Sequence, residues 1–217
     1  MRVSEAVNQR RSIRAFLDKP VESQILEELL IKAARAPSGG NVQPWRVYVV
    51  NGPAMARFRD FRDSRKAPEA AAYEIYPQGL TEPYRSSRFK VGEDMYSLLG
   101  IPREDRGARI RRLMENYNFF GAPAAIFCFV DKQMGPPQWS DLGMFLQTFM
   151  LLATEAGLDT CAQEAWAARP DTVAEFVGAP PEQMLFCGVA IGFQDPAAPV
   201  NSLVSEREPL NGFATFL

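Results

Sequence analysis

From Glu22 to Arg35, apolar and charged positions repeat with the period of a helix. Ile25, Leu26, Leu29, Leu30 and Ala33 fall on one face, charges fall opposite, and Pro37 closes the pattern. This predicts an amphipathic helix over 22–35. The small-residue loop "APSGGNVQ" follows, then the β-branched and aromatic run "PWRVYVV", which stops at the Asn51-Gly52 turn signal. A further helix is expected over 53–65. Residues 66–91 carry Pro68, Pro77, Pro83 and three tyrosines without a clear period, so the stretch from 66 to about 100 reads as an irregular excursion or lid.

Pro102 suits the first helical position of "PREDRGARIRRLMENY", and "AAIFCFV", Ala124 to Val130, reads as a buried strand. A Gly-Pro-Pro loop leads to a long helix from about Ser140 to Ala156, ended by Gly157. "LDTCAQ" is a short strand, "PDTVAEFV" a short helix stopped by Gly178, and "MLFCGVAIG" a second buried strand. From Asp195 onward the chain is expected to be mostly extended tail. No internal repeat, low-complexity tract or linker divides residues 1–217, so one domain is expected. Few strands among many helices fit α/β or α+β, and periodicity does not choose between them.

Composition narrows the chemistry. The 217 residues, 47% hydrophobic, suffice for a substantial core. The first fourteen residues are too polar for a secretory signal and no run approaches the roughly 18 apolar residues of a membrane span, so a soluble, non-exported protein is expected. Cys128, Cys161 and Cys187 are widely spaced and flanked by apolar residues, which reads as reduced core thiols and a cytoplasmic location. The chain has no histidine, which excludes Ser-His-Asp and Cys-His nucleophiles and His-based zinc sites. Hard chemistry would therefore come from a cofactor, with no metal expected.

Nineteen arginines stand against five lysines, yet the net charge is −2 and the sequence pI about 5.4, which argues against nucleic-acid binding. The arginines are clustered. "RRSIRAF", Arg10 to Phe16, sets three guanidiniums around one hydroxyl, and in an extended segment Arg10, Ser12 and Arg14 share a face suited to an anion. There is no G-x-x-x-x-G-K-S/T, and "GVAIG" lacks the G-x-G-x-x-G spacing, so a bound phosphate would be held by side chains. Arg207 in "SEREPL" is a second basic position, far off in sequence.

The ordered set "RRSIRAF", "APSGGNVQPWRVYVV", "GLDTCAQE", "VAIGFQDP" and "SEREPL" resembles the nitroreductase family of FMN-dependent oxidoreductases over essentially the whole chain, most of all its bacterial nitrobenzoate reductases. The resemblance implies an α+β nitroreductase-like fold, a central mostly antiparallel sheet flanked by helices, in an intertwined homodimer with FMN at the interface. It implies that Arg10, Arg11, Ser12 and Arg14 hold the flavin phosphate, the ribityl chain and the pyrimidine edge of the ring. Pro37, Ser38, Gly39 and Asn41 would approach the flavin, typically from the partner subunit, with Gln43 supporting their loop. The backbone of Gln163, Glu164 and Ala165 would pass the reactive N5 edge. Arg207 would reach the phosphate, and because Ser205 stands where many relatives have lysine, the grip would rest more on Arg10 and Arg207.

Tyr73, Tyr76, Tyr84, Phe119, Phe120 and Trp139 are candidate walls for a flat aromatic substrate, with core packing the alternative for each. Arg103, Arg106, Arg109, Arg111 and Arg112 either meet an anionic substrate or dinucleotide phosphate or form a solvated helix face. The implied activity is two-electron transfer from NADH or NADPH to a nitroaromatic or quinone, alternating at one site, with flavin N5 carrying the hydride and no catalytic side chain. Other flavin reactions on the same fold (reductive dehalogenation, flavin fragmentation, dehydrogenation) are the enzymatic alternatives. A cofactor-free anion-binding module is the non-enzymatic one.

Overall fold

The computed structural model describes all residues from Met1 to Leu217. In chain order the elements are α1 (Val3–Gln9), α2 (Ser23–Ala33), β1 (Arg46–Asn51), α3 (Pro53–Ser64), α4 (Tyr84–Leu98), α5 (Arg106–Met114), β2 (Ala124–Asp131), α6 (Pro136–Glu155), β3 (Asp159–Gln163), α7 (Pro170–Val177), β4 (Gln183–Gly192) and α8 (Leu210–Phe213).

The two most apolar runs become the two central strands. Sheet order is β1-β2-β4-β3, and every neighbouring pair is antiparallel. That settles the fold as α+β, since a parallel α/β sheet would need crossover helices between neighbouring strands. Because strand side chains alternate, β2 feeds two cores. Ala124, Ile126, Cys128 and Val130 pack with Leu26 and Leu29 of α2 and Leu142, Phe145 and Phe149 of α6. Ala125, Phe127 and Phe129 pack on the other face with Phe58 of α3, Phe119, Trp166 and Val173 of α7. Cys128, Cys161 and Cys187 are buried and free, and burial pushes the Cys128 thiol up to about 12.

Several boundaries depart from the sequence pattern. The long helix α6 starts at Pro136 and not near Ser140, because a proline at the first helical position has no N–H to lose. Helix α5 starts at Arg106, past Pro102, because the Asp105 carboxylate accepts from the Ala108 N–H at 2.8 Å and caps it there. Within the stretch expected to be irregular, residues 84–98 form the fifteen-residue helix α4, and 66–83 and 99–100 lack helix or strand. Helix α1 had no periodic signal, and the tail contains the short helix α8.

The irregular stretch is pinned at its start. Glu69 accepts from the Asp171 and Thr172 N–H groups at the start of α7, at 2.7 and 3.0 Å, and its carboxylate lies 2.9 Å from Arg169 Nε as an ion pair without hydrogen-bond alignment. The Ala72 N–H donates to the Ala167 carbonyl at 2.8 Å.

Candidate functional site

The segment after α1 runs beside β3. Ser12 bridges Thr160 in parallel, the Ile13 N–H donates to the Thr160 carbonyl at 3.0 Å, and Ile13 is 1% exposed. Burying Ile13 turns its neighbours the other way, so Ser12 and Arg14 face a cleft with Arg10 and Arg11. Across the cleft lies the tail. Asn201, 5% exposed, fixes the approach: its Oδ1 accepts from the Arg14 N–H at 2.9 Å, while its Nδ2 donates to the Ala15 carbonyl at 2.8 Å and the Asp195 carbonyl at 3.0 Å. Leu203 to Ser205 and Arg207 then form the opposite wall.

The result is a cleft of about 980 Å³ lined by Arg10, Arg11, Ser12, Arg14, Ser205 and Arg207, with Gly157 to Asp159 and Val91 of α4. Positions some 195 residues apart in sequence thus meet in one place. Arg207 Nη1 donates to the Ser205 carbonyl at 3.0 Å and to Ser205 Oγ at 2.7 Å, so Ser205 orients the guanidinium instead of adding a charge of its own.

The cleft is rich in arginine, and Asp159 is the one carboxyl group among its lining residues. None of Arg10, Arg11, Arg14, Arg207 or the neighbouring Arg112 has a carboxylate within 4.0 Å, and Glu206 of the tail pairs at 3.1 Å with Lys90 of α4 instead. Burial and then Arg207 push the Arg10 pKa down; burial and then Arg14 do the same to Arg112. Asp159, also at the wall, accepts from the Gln194 N–H at 2.9 Å, and burial raises its pKa. Such an arrangement suits an anion, because an anion relieves the repulsion among part-buried and exposed guanidiniums gathered in one cleft.

The remaining sequence candidates fall into three places. Gln163 is 2% exposed and points inward, its Nε2 donating to the Asn116 carbonyl at 2.8 Å while its Oε1 is buried without a partner. The chain then turns at Glu164–Ala168, where the Ala165 carbonyl accepts from the Tyr117 hydroxyl at 3.2 Å. The turn therefore offers backbone, not the Gln163 side chain, to a ligand.

Tyr73 and Trp139 come together, ring centroids 5.7 Å apart, with Phe186 beside both and accepting the Tyr73 hydroxyl at its carbonyl. Burial, then Cys187 and Glu164, push the Tyr73 phenol far up. Phe119 and Phe120 are corrected: they are 0% and 6% exposed core residues. Positive φ angles of 51° and 55° turn them inward, and Phe119 packs 4.8 Å from Trp166.

The loop with Pro37, Ser38, Gly39, Asn41 and Gln43 does not line the arginine cleft of its own subunit. It is held from below by buried Asp141 of α6, whose carboxylate accepts from the Gly39 N–H at 3.3 Å. Ser38 Oγ accepts from the Gln43 N–H at 3.0 Å and Gln43 Nε2 donates to the Asn41 carbonyl at 3.2 Å, so Gln43 ties the loop to itself. Gly40, Asn41 and Gln43 sit at φ 56°, 56° and 49°, a left-handed path that glycine and asparagine tolerate best. Asn201 and Asp141 had not been singled out in the sequence; neither stands in a motif, and only their burial marks them.

The sequence profile of the Nitroreductase family matches residues 7–193. The chain belongs to the nitroreductase family. Within it the chain is similar to a 4-nitrobenzoate reductase of Pseudomonas putida, 35% identical over 97% of this chain and 93% of that one. A nitrobenzene nitroreductase of Ectopseudomonas oleovorans is 33% identical over 99% and 96%. Among solved structures, the FMN and NADPH-dependent nitroreductase NfnB from Sphigopyxis sp. strain HMH superposes with a TM-score of 0.95 at 44% identity, covering 100% of this chain and 99% of that one. For this nitroreductase-family chain, the ordered elements read in the sequence all lie within the superposed fold.

Proposed function

We propose that this protein is an FMN-dependent NAD(P)H nitroreductase that reduces a nitroaromatic compound, with quinones as further acceptors. The observation that carries the reading is the convergence of Arg10, Arg11, Ser12, Arg14 and Arg207 on one cleft without a carboxylate partner. Its donor set fits a flavin mononucleotide: guanidiniums and hydroxyls for a phosphate and ribityl chain, and a volume of about 980 Å³.

When bound, FMN supplies the two-electron chemistry, taking hydride at N5 from NADPH or NADH and passing it to the acceptor. The side chains supply position and charge. Arg10 and Arg207 would grip the phosphate, Ser12 the ribityl chain, and Arg14 the pyrimidine edge. The backbone at Gln163, Glu164 and Ala165 would run past the N5 edge, and Tyr73 with Trp139 would wall a flat acceptor.

The working unit in this reading is a homodimer in the cytoplasm. The loop 37–43 is largely exposed and does not line the arginine cleft of its own subunit, so in this reading it would meet a flavin from across a subunit interface. Phe213 and Phe216, 67% and 85% exposed, lack cover within one subunit.

The relatives are named for both 4-nitrobenzoate and nitrobenzene. We favour a carboxylated nitroaromatic, because in the stretch from Arg85 to Arg112 Arg103 and Arg106 have no acid partner within 4.0 Å, whereas Arg85 and Arg109 are paired with Glu82 and Glu93. Two experiments test the proposal. The protein should purify yellow with non-covalent FMN; a colourless protein that cannot be reconstituted would reject the enzyme reading for an anion-binding module. The kcat/KM for 4-nitrobenzoate should exceed that for nitrobenzene by roughly tenfold or more at low salt, the worth of one charge-assisted pair. Equality within about twofold removes the carboxylate preference and leaves a generalist reductase.

A further inference from the structure

Arg112 comes from α5, which carries none of the cofactor-binding motifs, and meets the segment that carries Arg14 without itself lining the cleft. Its Nη2 donates to the Arg14 carbonyl at 2.9 Å and its guanidinium lies 5.0 Å from the Phe120 ring. Its Nε is buried without a partner. No carboxylate stands within 4.0 Å, and the acid that acts on it most, Glu115, is held off to the side by a 3.5 Å contact with Asn118. A leucine or methionine would fill the space against Phe120 with no charge to desolvate, so packing alone does not account for a half-buried cation beside another cation.

Two like-charge pairs result, one in the cleft and one between the cleft residue Arg14 and its neighbour Arg112, whose Nη2 lies 2.9 Å from the Arg14 carbonyl. Arg207 is the charge that acts most on Arg10, and Arg14 the charge that acts most on Arg112. On the FMN reading the phosphate answers the first pair. The second pair faces no anion until the ring is reduced: hydride uptake adds two electrons and one proton, so the ring gains one net negative charge, delocalised over its pyrimidine half.

We propose that Arg112 is a positioning residue that holds Arg14 and adds its own charge behind it, favouring the reduced, anionic flavin ring over the oxidised one. The proposal rests on the FMN reading of the cleft, and its test separates the two. The variants Arg112→Gln and Arg112→Lys are reconstituted with FMN. The dissociation constant of oxidised FMN is read by fluorescence, and the two-electron midpoint potential by spectroelectrochemistry without substrate.

In Arg112→Gln, affinity for oxidised FMN should change by less than about threefold. The preference for reduced FMN should fall about tenfold, which lowers the midpoint by about 30 mV. Arg112→Lys, which keeps the charge, should restore most of the difference. Glu115→Gln, which removes the opposing acid and keeps Arg112, should move the midpoint upward and serves as the probe if Arg112→Gln does not fold. An unchanged midpoint in Arg112→Gln, or oxidised and reduced affinities falling together, makes Arg112 a packing residue and overturns the proposal. An unchanged midpoint with a raised KM for 4-nitrobenzoate alone assigns the anion to substrate and overturns it too. A wild-type protein that takes up no FMN rejects the function proposed above, not this residue's role within it.

Discussion

Replacing Asn201 with Ala tests whether a single buried amide builds the arginine cleft. The side chain makes three hydrogen bonds of 2.8 to 3.0 Å, to the Arg14 N–H and to the Ala15 and Asp195 carbonyls, at 5% exposure. Each is worth about 1 kcal/mol net, and the groups left behind are partly buried, so the change should cost about 2–4 kcal/mol. Because the lost bonds join the strand carrying Arg10 to Arg14 with the tail carrying Arg207, FMN affinity should fall along with stability, by tenfold or more. Asn201→Asp keeps the acceptor for Arg14 but sets carboxylate oxygens against two carbonyls, so it should not rescue. Urea unfolding of the apo-protein gives the first quantity and fluorescence titration with FMN the second. A stability loss below about 0.5 kcal/mol, or an intact FMN affinity, would refute the claim that Asn201 joins the two halves of the cleft.

Arg207→Ala should weaken FMN binding by about 1.5–3 kcal/mol, one charge-assisted partner; unchanged affinity by titration removes Arg207 from the site. Burial raises the Asp159 pKa, so the native state holds its proton to higher pH than the unfolded chain and this residue's contribution to stability falls as pH rises through the window above the ordinary aspartate range. Asp159→Asn should flatten that slope in urea melts recorded from pH 4 to 7, and a parallel slope would contradict the assignment. Sedimentation at low micromolar concentration should show a dimer burying more than about 2,000 Å², and Phe216→Asp should weaken it; a folded, FMN-loaded monomer would sink the two-subunit site.

What was legible in the sequence follows from which residues meet a core. Helix α2 and strands β2 and β4 show their burial as period because each feeds a core inside the subunit. Helix α4 has no residue buried within the subunit, so no apolar stripe marks it and prolines upstream dominate the reading. The arginine motif was visible as a cluster, but its meeting with Arg207 was not, since the residue that joins them is an asparagine with no signature in "PVNSL". Phe119 and Phe120 read as candidate walls for a flat substrate; their left-handed backbone turns both rings into the core, Phe119 against Trp166. Nothing in "RIRRLM" distinguishes half-buried Arg112 from exposed Arg111.

The same electrostatics that suit the cleft to an anion make the empty subunit less stable than its core alone would allow. Arg10 against Arg207 is a repulsion with no carboxylate within 4.0 Å, and at Arg10 burial removes part of the water that would screen it. An anionic cofactor relieves this, so its binding free energy appears as folding free energy. At a free concentration one hundred times the dissociation constant, the stabilisation is about 2.7 kcal/mol. With no histidine in the chain and its three cysteines buried, the side chains of the cleft offer neither an imidazole acid or base nor an accessible thiolate. What this chain adds to a cofactor's chemistry is therefore charge held at fixed positions, and the folding free energy given up to hold it there is recovered when the cofactor binds.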